Sequence, residues 1–191
     1  MTDSLTKRLN DILPKITSTE FLSGKGLGNE IAFYIFDYPP EEEPRIREHI
    51  QFLMTHIPKA RPGLRFNHIN LFNLIVDHLN ERGLLKKSFE MQRDKGDQTL
   101  FKALRGPLKP EKLVRLFADA VQPEEQDLVL VSGVGGVWPL VRSHNLLNNL
   151  QPLMGQTPLV MFYPGRYDGK TLRLFGKIKS KNYYRAFKLI P

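Results

Sequence analysis

The chain has 191 residues, 41% hydrophobic and 25% charged, the balance of an ordinary globular protein. It contains no cysteine, which excludes disulfide scaffolds, thiolate zinc sites, iron–sulfur centres and cysteine nucleophiles. Formal net charge is +8, unevenly placed: Met161–Pro191 holds eight basic residues and one acid, while the other 160 residues hold 20 basic and 19 acidic side chains.

Leu5, Leu9, Ile12, Leu13 and Ile16 recur at helical spacing and predict an N-terminal amphipathic helix that Pro14 ends or kinks. Ser18–Gly28 is a connector. Its Gly24-Lys25-Gly26-Leu27-Gly28 run precedes a strand instead of following one, the wrong order for a phosphate loop. Ile31–Phe36 is a continuous apolar run, expected as a strand buried on both faces and ended by Asp37-Tyr38-Pro39-Pro40. Three glutamates and Pro44 then open a helix, since acids and proline suit a helix start. Ile46, Ile50, Leu53, Met54 and Ile57 mark its inner face, and Pro58 with Arg61-Pro62-Gly63 is expected to stop it.

Leu64–Ile69 predicts a short strand. Leu71, Phe72, Ile75 and Leu79 predict a helix closed by Gly83. Lys86–Pro107 is polar and weakly periodic, with Arg93–Asp97 expected as an exposed loop. Another helix carries Leu113, Val114, Leu116, Phe117, Ala120 and Val121. Leu128–Val131 is a second buried strand, Ser132–Gly136 a turn, and a helix is expected from about Pro139. Leu159–Phe162 is a third buried strand. Leu172–Phe175 and Tyr183–Ile190 are expected to form an antiparallel hairpin at the sheet edge.

Apolar strands alternating with amphipathic helices predict an α/β fold, a mostly parallel central sheet flanked by helices with a C-terminal antiparallel edge hairpin. The expected organisation is one domain over 1–191, with a helical segment at 1–22 and the basic edge hairpin at 161–191. No apolar run approaches the roughly 20 residues of a membrane helix, so a cytoplasmic protein without membrane contact is expected.

In open α/β sheets ligands bind beyond the carboxyl ends of the strands. If the strands are parallel, a rim gathers Asp37, Tyr38, His68, Asn70, Ser132, Tyr163, Arg166 and Asp168. Asp, Asn and Ser are also ordinary caps and turn formers at such junctions. Gly133, Gly135 and Gly136 follow a strand, the context for a weak phosphate site, but Trp138 breaks the G-x-G-x-x-G pattern and no Gly-Lys-Ser/Thr follows. Arg142 and His144 interrupt an amphipathic helix and are polar candidates. Tyr163, Arg166 and Tyr167, on a loop shaped by Pro164 and Gly165, are candidates for stacking on a base or anchoring a protein. With Arg173, Lys177, Lys179, Lys181 and Arg185 they form a candidate surface for a partner or nucleic acid, or a solvated edge whose cations prevent aggregation. The five histidines show no metal-ligand spacing and no G-x-S-x-G elbow exists. No metal, cofactor or complete catalytic constellation is expected.

Several stretches are familiar in combination: Phe36-Asp37-Tyr38-Pro39-Pro40-Glu41, Val131-Ser132-Gly133-Val134-Gly135, Pro139-Leu140-Val141-Arg142-Ser143-His144, Phe162 to Gly169 and Asn182 to Phe187. Together they resemble the BrxB family, small components of the BREX phage-defence system, over nearly the whole chain. The resemblance implies a role in an antiviral complex with a DNA methyltransferase, a large ATPase and the phosphatase-like protein PglZ, with PglZ as the direct partner. It supplies no catalytic residue and no fold. The leading expectation is a non-catalytic adaptor. The alternatives are a nucleic-acid-binding module acting through the basic segment and a nucleotide- or phosphate-binding protein using the rim.

Overall fold

A computed structural model describes residues 4–23, 32–179 and 186–191. The glycine-rich 24–29 run, Lys181 and Arg185 therefore lie outside the described residues. The N-terminal segment forms three short helices, α1 (Ser4–Asn10), α2 (Ile12–Thr17) and α3 (Thr19–Leu22). The break falls at Asp11, while Pro14 is accommodated in the first turn of α2, where its missing N–H costs no helical hydrogen bond.

Strands β1 (Phe33–Tyr38), β2 (Phe66–Asn70), β3 (Leu128–Ser132) and β4 (Leu159–Tyr167) form the central sheet in the order β2-β3-β4-β1. All three pairings between them are parallel. β1 includes Asp37 and Tyr38, which were expected to end it; both stay in register against Tyr163 and Pro164. The period-2 alternation of strand side chains divides the interior. Phe33, Ile35, Val129, Val131, Leu159 and Met161 face one apolar layer, and Tyr34, Phe36, Leu128, Leu130, Val160 and Phe162 face the other. This explains the unbroken apolar runs in the sequence, because β1, β3 and β4 are buried on both faces.

Helix α4 (Glu43–Ala60) covers the second layer with α1 to α3, burying Ile46, Ile50, Leu53 and Ile57. Pro58 lies inside it: the helix runs two residues further to Ala60 and ends at Arg61-Pro62-Gly63, as expected. Helices α5 (Leu71–Glu81), α7 (Pro110–Val121) and α8 (Ser143–Met154) cover the first layer. Helix α8 starts at Ser143, later than expected, because Val134–Leu140 is a run of turns. Arg93–Asp97, expected as an exposed loop, is exposed but lies within a helix, α6 (Leu85–Leu104), bent at Gly96, which has φ +78°. Its Lys, Glu, Gln, Met, Arg and Leu residues are strong helix formers, so propensity carries it where apolar periodicity is thin.

An antiparallel C-terminal hairpin is present, as expected, but its second strand is not the expected 183–190 segment. Strand β5 (Leu172–Leu174) pairs antiparallel with the far end of β4 and with β6 (Ile178–Lys179). Strand β7 (Phe187–Lys188) crosses to the opposite edge and lies parallel to β1. The antiparallel extension is thus β4–β5–β6, and β4 itself is a central strand. No helix among the described residues is long and apolar enough to cross a membrane.

Candidate strand-end cleft and basic extension

Because β1 to β4 are parallel, their carboxyl ends meet on one side of the molecule, where a cleft of about 730 Å³ opens. His68 and Asn70 of β2, Ser132 of β3 and Gly133, Gly135 and Gly136 line one wall. Glu43, Arg47, Glu48 and Gln51 from α4 form the opposite wall, with Phe72, Pro164 and Phe175 nearby. The α4 and α5 contributors were missed from sequence. The signal was present, since the first turns after β1 and β2 must stand at that rim once the strands are parallel.

The structure divides the rim candidates. Asp37 lies outside the cleft lining. Its Oδ1 accepts from Arg8 Nη2 at 2.8 Å and its Oδ2 accepts from the Tyr167 backbone N–H at 2.9 Å. Lys188 Nζ stands 3.9 Å from Oδ2. The carboxylate thus ties α1, β1, the end of β4 and β7 together. Tyr38 is buried and its hydroxyl donates to Glu43 Oε2 at 2.5 Å. Burial, then the bond to Glu43 and that residue's negative charge, push the phenol pKa up, so it stays protonated. Glu43 Oε1 also accepts from Arg47 Nε at 3.0 Å.

Asn70 caps α5: its Oδ1 accepts from the N–H groups of Phe72 and Asn73 at 3.0 and 3.2 Å. Asp168 closes its own turn, accepting from the N–H and hydroxyl of Thr171 and from Lys170 N–H. Those bonds, Thr171's first, hold its pKa down at about 2. Gly133 has φ +73°, and a Cβ there would stand 2.2 Å from Asn70 Oδ1. At Gly135 and Gly136 the close approach that glycine permits is made by Phe175, Pro164 and Phe72. The loop leads into turns and reaches α8 only at Ser143, so it does not present its glycines at a helix start. Arg142 is exposed beside a separate small cavity with Leu113 and Leu146, and His144 lies in the first turn of α8.

His68 and Ser132 meet across β2 and β3, with Nε2 and Oγ 2.8 Å apart in the cleft. The geometry suits proton acceptance by the imidazole, and equally satisfies a buried hydroxyl. Burial lowers the His68 pKa, and burial followed by the Arg45 charge lowers that of His49. The folded chain therefore keeps both rings neutral where the unfolded chain takes up protons, below about pH 6.5. Stability is complete above that pH and falls as pH drops through the window between unfolded and folded values. Urea midpoints measured from pH 7.5 to 5 should decline, and His68→Asn should flatten the decline; a profile unchanged by that substitution would contradict the assignment.

The tyrosines expected to stack on a ligand are core residues. Tyr163 and Tyr167 are 2% and 1% exposed, and the Tyr167 hydroxyl donates to Ala186 O at 2.7 Å. Pro164 and Gly165 predict a loop here, but β4 continues through both to Tyr167. Arg166, Arg173, Lys177 and Lys179 are exposed, as expected.

A family model described as BREX protein BrxB matches residues 67–189. The chain is 44% identical over 187 residues to a BREX protein BrxB of Escherichia coli O9:H4 (strain HS), covering 98% of this chain and 92% of that protein. It is 45% identical over 190 residues to a BREX protein BrxB of Bacillus cereus (strain H3081.97), covering 97% of each. No solved structure matches the chain significantly.

Proposed function

The chain belongs to the BrxB family of BREX proteins, and we propose that it serves a BREX phage-defence complex as a non-catalytic adaptor that docks a PglZ-like protein. The observation that carries this reading is the aromatic exposure at the cleft. Phe72 lines the cleft and is 48% exposed, and Trp138, two residues beyond the cleft-lining Gly136, is 42% exposed. Large aromatics held open on a rigid framework are the side chains that dominate protein interfaces, because each hides much apolar area at small entropic cost. Several of the polar groups around them are engaged within the chain: Asn70 with α5, Glu43 with Tyr38 and Arg47, His68 with Ser132. A partner's side chains entering the cleft would meet an apolar mouth with a hydrogen-bonded floor.

The test is size-exclusion chromatography and titration calorimetry with the PglZ protein of the same BREX system at micromolar concentration. A stable complex is expected. Phe72→Ala and Trp138→Ala should each weaken it at least about tenfold, with melting temperatures nearly unchanged because both side chains are exposed. Absence of a complex, or full affinity in both variants, would remove this reading.

A further inference from the structure

The antiparallel extension carries three cations in a single cross-strand row. Arg166 of β4 stands directly opposite Arg173 of β5, and Arg173 stands directly opposite Lys179 of β6. All three are exposed. Alternation puts them on the face away from Tyr167, Leu172 and Leu174, which enter the core. Among the described residues none of the three takes part in an ion pair. Asp168, the acid of this segment, is occupied by Thr171 and Lys170. The neighbouring 180–185 stretch contains no acid. Like charges directly opposite in a sheet are destabilising, so the row costs the folded state stability and gains an intense positive potential.

We propose that this row binds the sugar–phosphate backbone of DNA. Strands in a sheet lie about 4.8 Å apart, so the row is roughly 10 Å long, the scale of a few successive phosphates. Two of its members are arginines, whose planar fork grips phosphate oxygens two at a time. Among the described residues of this segment, the aromatics expected to stack on bases or anchor a protein, Tyr163 and Tyr167, are buried. Among the described residues the face offers charge alone, which fits a uniform phosphate chain independent of base sequence and not the apolar anchor of a protein interface. This surface is separate from the aromatic mouth of the cleft, and the inference does not depend on the adaptor reading.

The experiment is fluorescence anisotropy of the full-length chain with a labelled 30-base-pair duplex of arbitrary sequence, at 50 and 200 mM salt. Three phosphate contacts should make affinity fall roughly 40-fold between those salts, and removing one should reduce the fall to roughly 12-fold. Arg173→Gln, in the middle of the row, should therefore weaken binding at low salt and flatten the salt dependence. Its melting temperature should hold or rise, since a like-charge contact is relieved. A second, unrelated duplex should bind equally well. No binding at 50 mM salt overturns the proposal, as does an Arg173→Gln variant with the wild-type salt slope. Loss of a protein partner in that variant without any DNA binding also overturns it, and would assign the row to an acidic protein face.

Discussion

Asp37→Ala should lower stability by about 3–5 kcal/mol, the usual cost of removing one partner from a largely buried ion pair. For a chain of this size that is a fall in melting temperature on the order of 10 °C. The carboxylate is 12% exposed and joins elements from both ends of the chain. Its loss leaves the Arg8 guanidinium, 21% exposed and stacked 4.7 Å over the Phe36 ring, with no countercharge. It also removes the carboxylate oxygen that accepts from the Tyr167 N–H in the core. Asp37→Asn keeps an oxygen for Tyr167 but not the charge, and should fall between the wild type and alanine. Differential scanning calorimetry of both variants and of Arg8→Ala decides the matter. Strong coupling in the double variant is expected, since Arg8 also donates to Asp37 O at 2.9 Å and Ile190 O at 3.2 Å. A melting temperature unmoved by Asp37→Ala would mean that the carboxylate is not a structural pin and is free for a ligand.

Gly165→Ala should cost about 3 kcal/mol and detach β5 from β4. A Cβ at this position would lie 2.2 Å from the backbone oxygen of Arg173 and 3.0 Å from Phe175 N. A backbone atom cannot turn aside as a side chain can, so the two strands must separate. Separation removes the Phe175 N–H bond to Pro164 O, now 2.8 Å, and loosens Leu172 and Leu174 from the core. It also takes Arg173 out of line with Arg166. This variant should lose stability and DNA affinity together, whereas Arg173→Gln should lose affinity alone. Amide hydrogen exchange over 165–175 reads the detachment directly. Protection equal to wild type would show that the strands do not approach as closely as the structure has them.

The parts of the fold that could be read beforehand share one property: their burial repeats along their own length. The Ile46-Ile50-Leu53-Ile57 stripe of α4 and the apolar runs in β1, β3 and β4 are local patterns that mirror a helix face or a doubly covered strand. Where stability rests on something other than such a pattern, the reading failed. Helix α6 buries only Ser88 and Leu104 and is carried by helix propensity, so its polar sequence resembled a loop. Strand β4 runs on through Pro164 and Gly165, two residues that usually interrupt strands, because β5 and Asp37 hold it there.

Kinship with the BrxB family, the parallel α/β plan and the location of the strand-end rim were all legible in the amino-acid order, since each depends on motifs or on periodicity within a short window. The fate of individual polar groups was not. Asp37 meets a backbone N–H 130 residues away and His68 meets Ser132 64 residues away, whereas Asn70 is the ordinary helix cap that its strand–helix junction offered. Likewise, eight basic residues near the C-terminus give a net charge, but only strand register sets Arg166, Arg173 and Lys179 in a row and folds Tyr163 and Tyr167 beneath them. Hydrogen bonds and charge contacts act over a few ångströms, and which groups come that close depends on pairings between distant segments that no local pattern encodes.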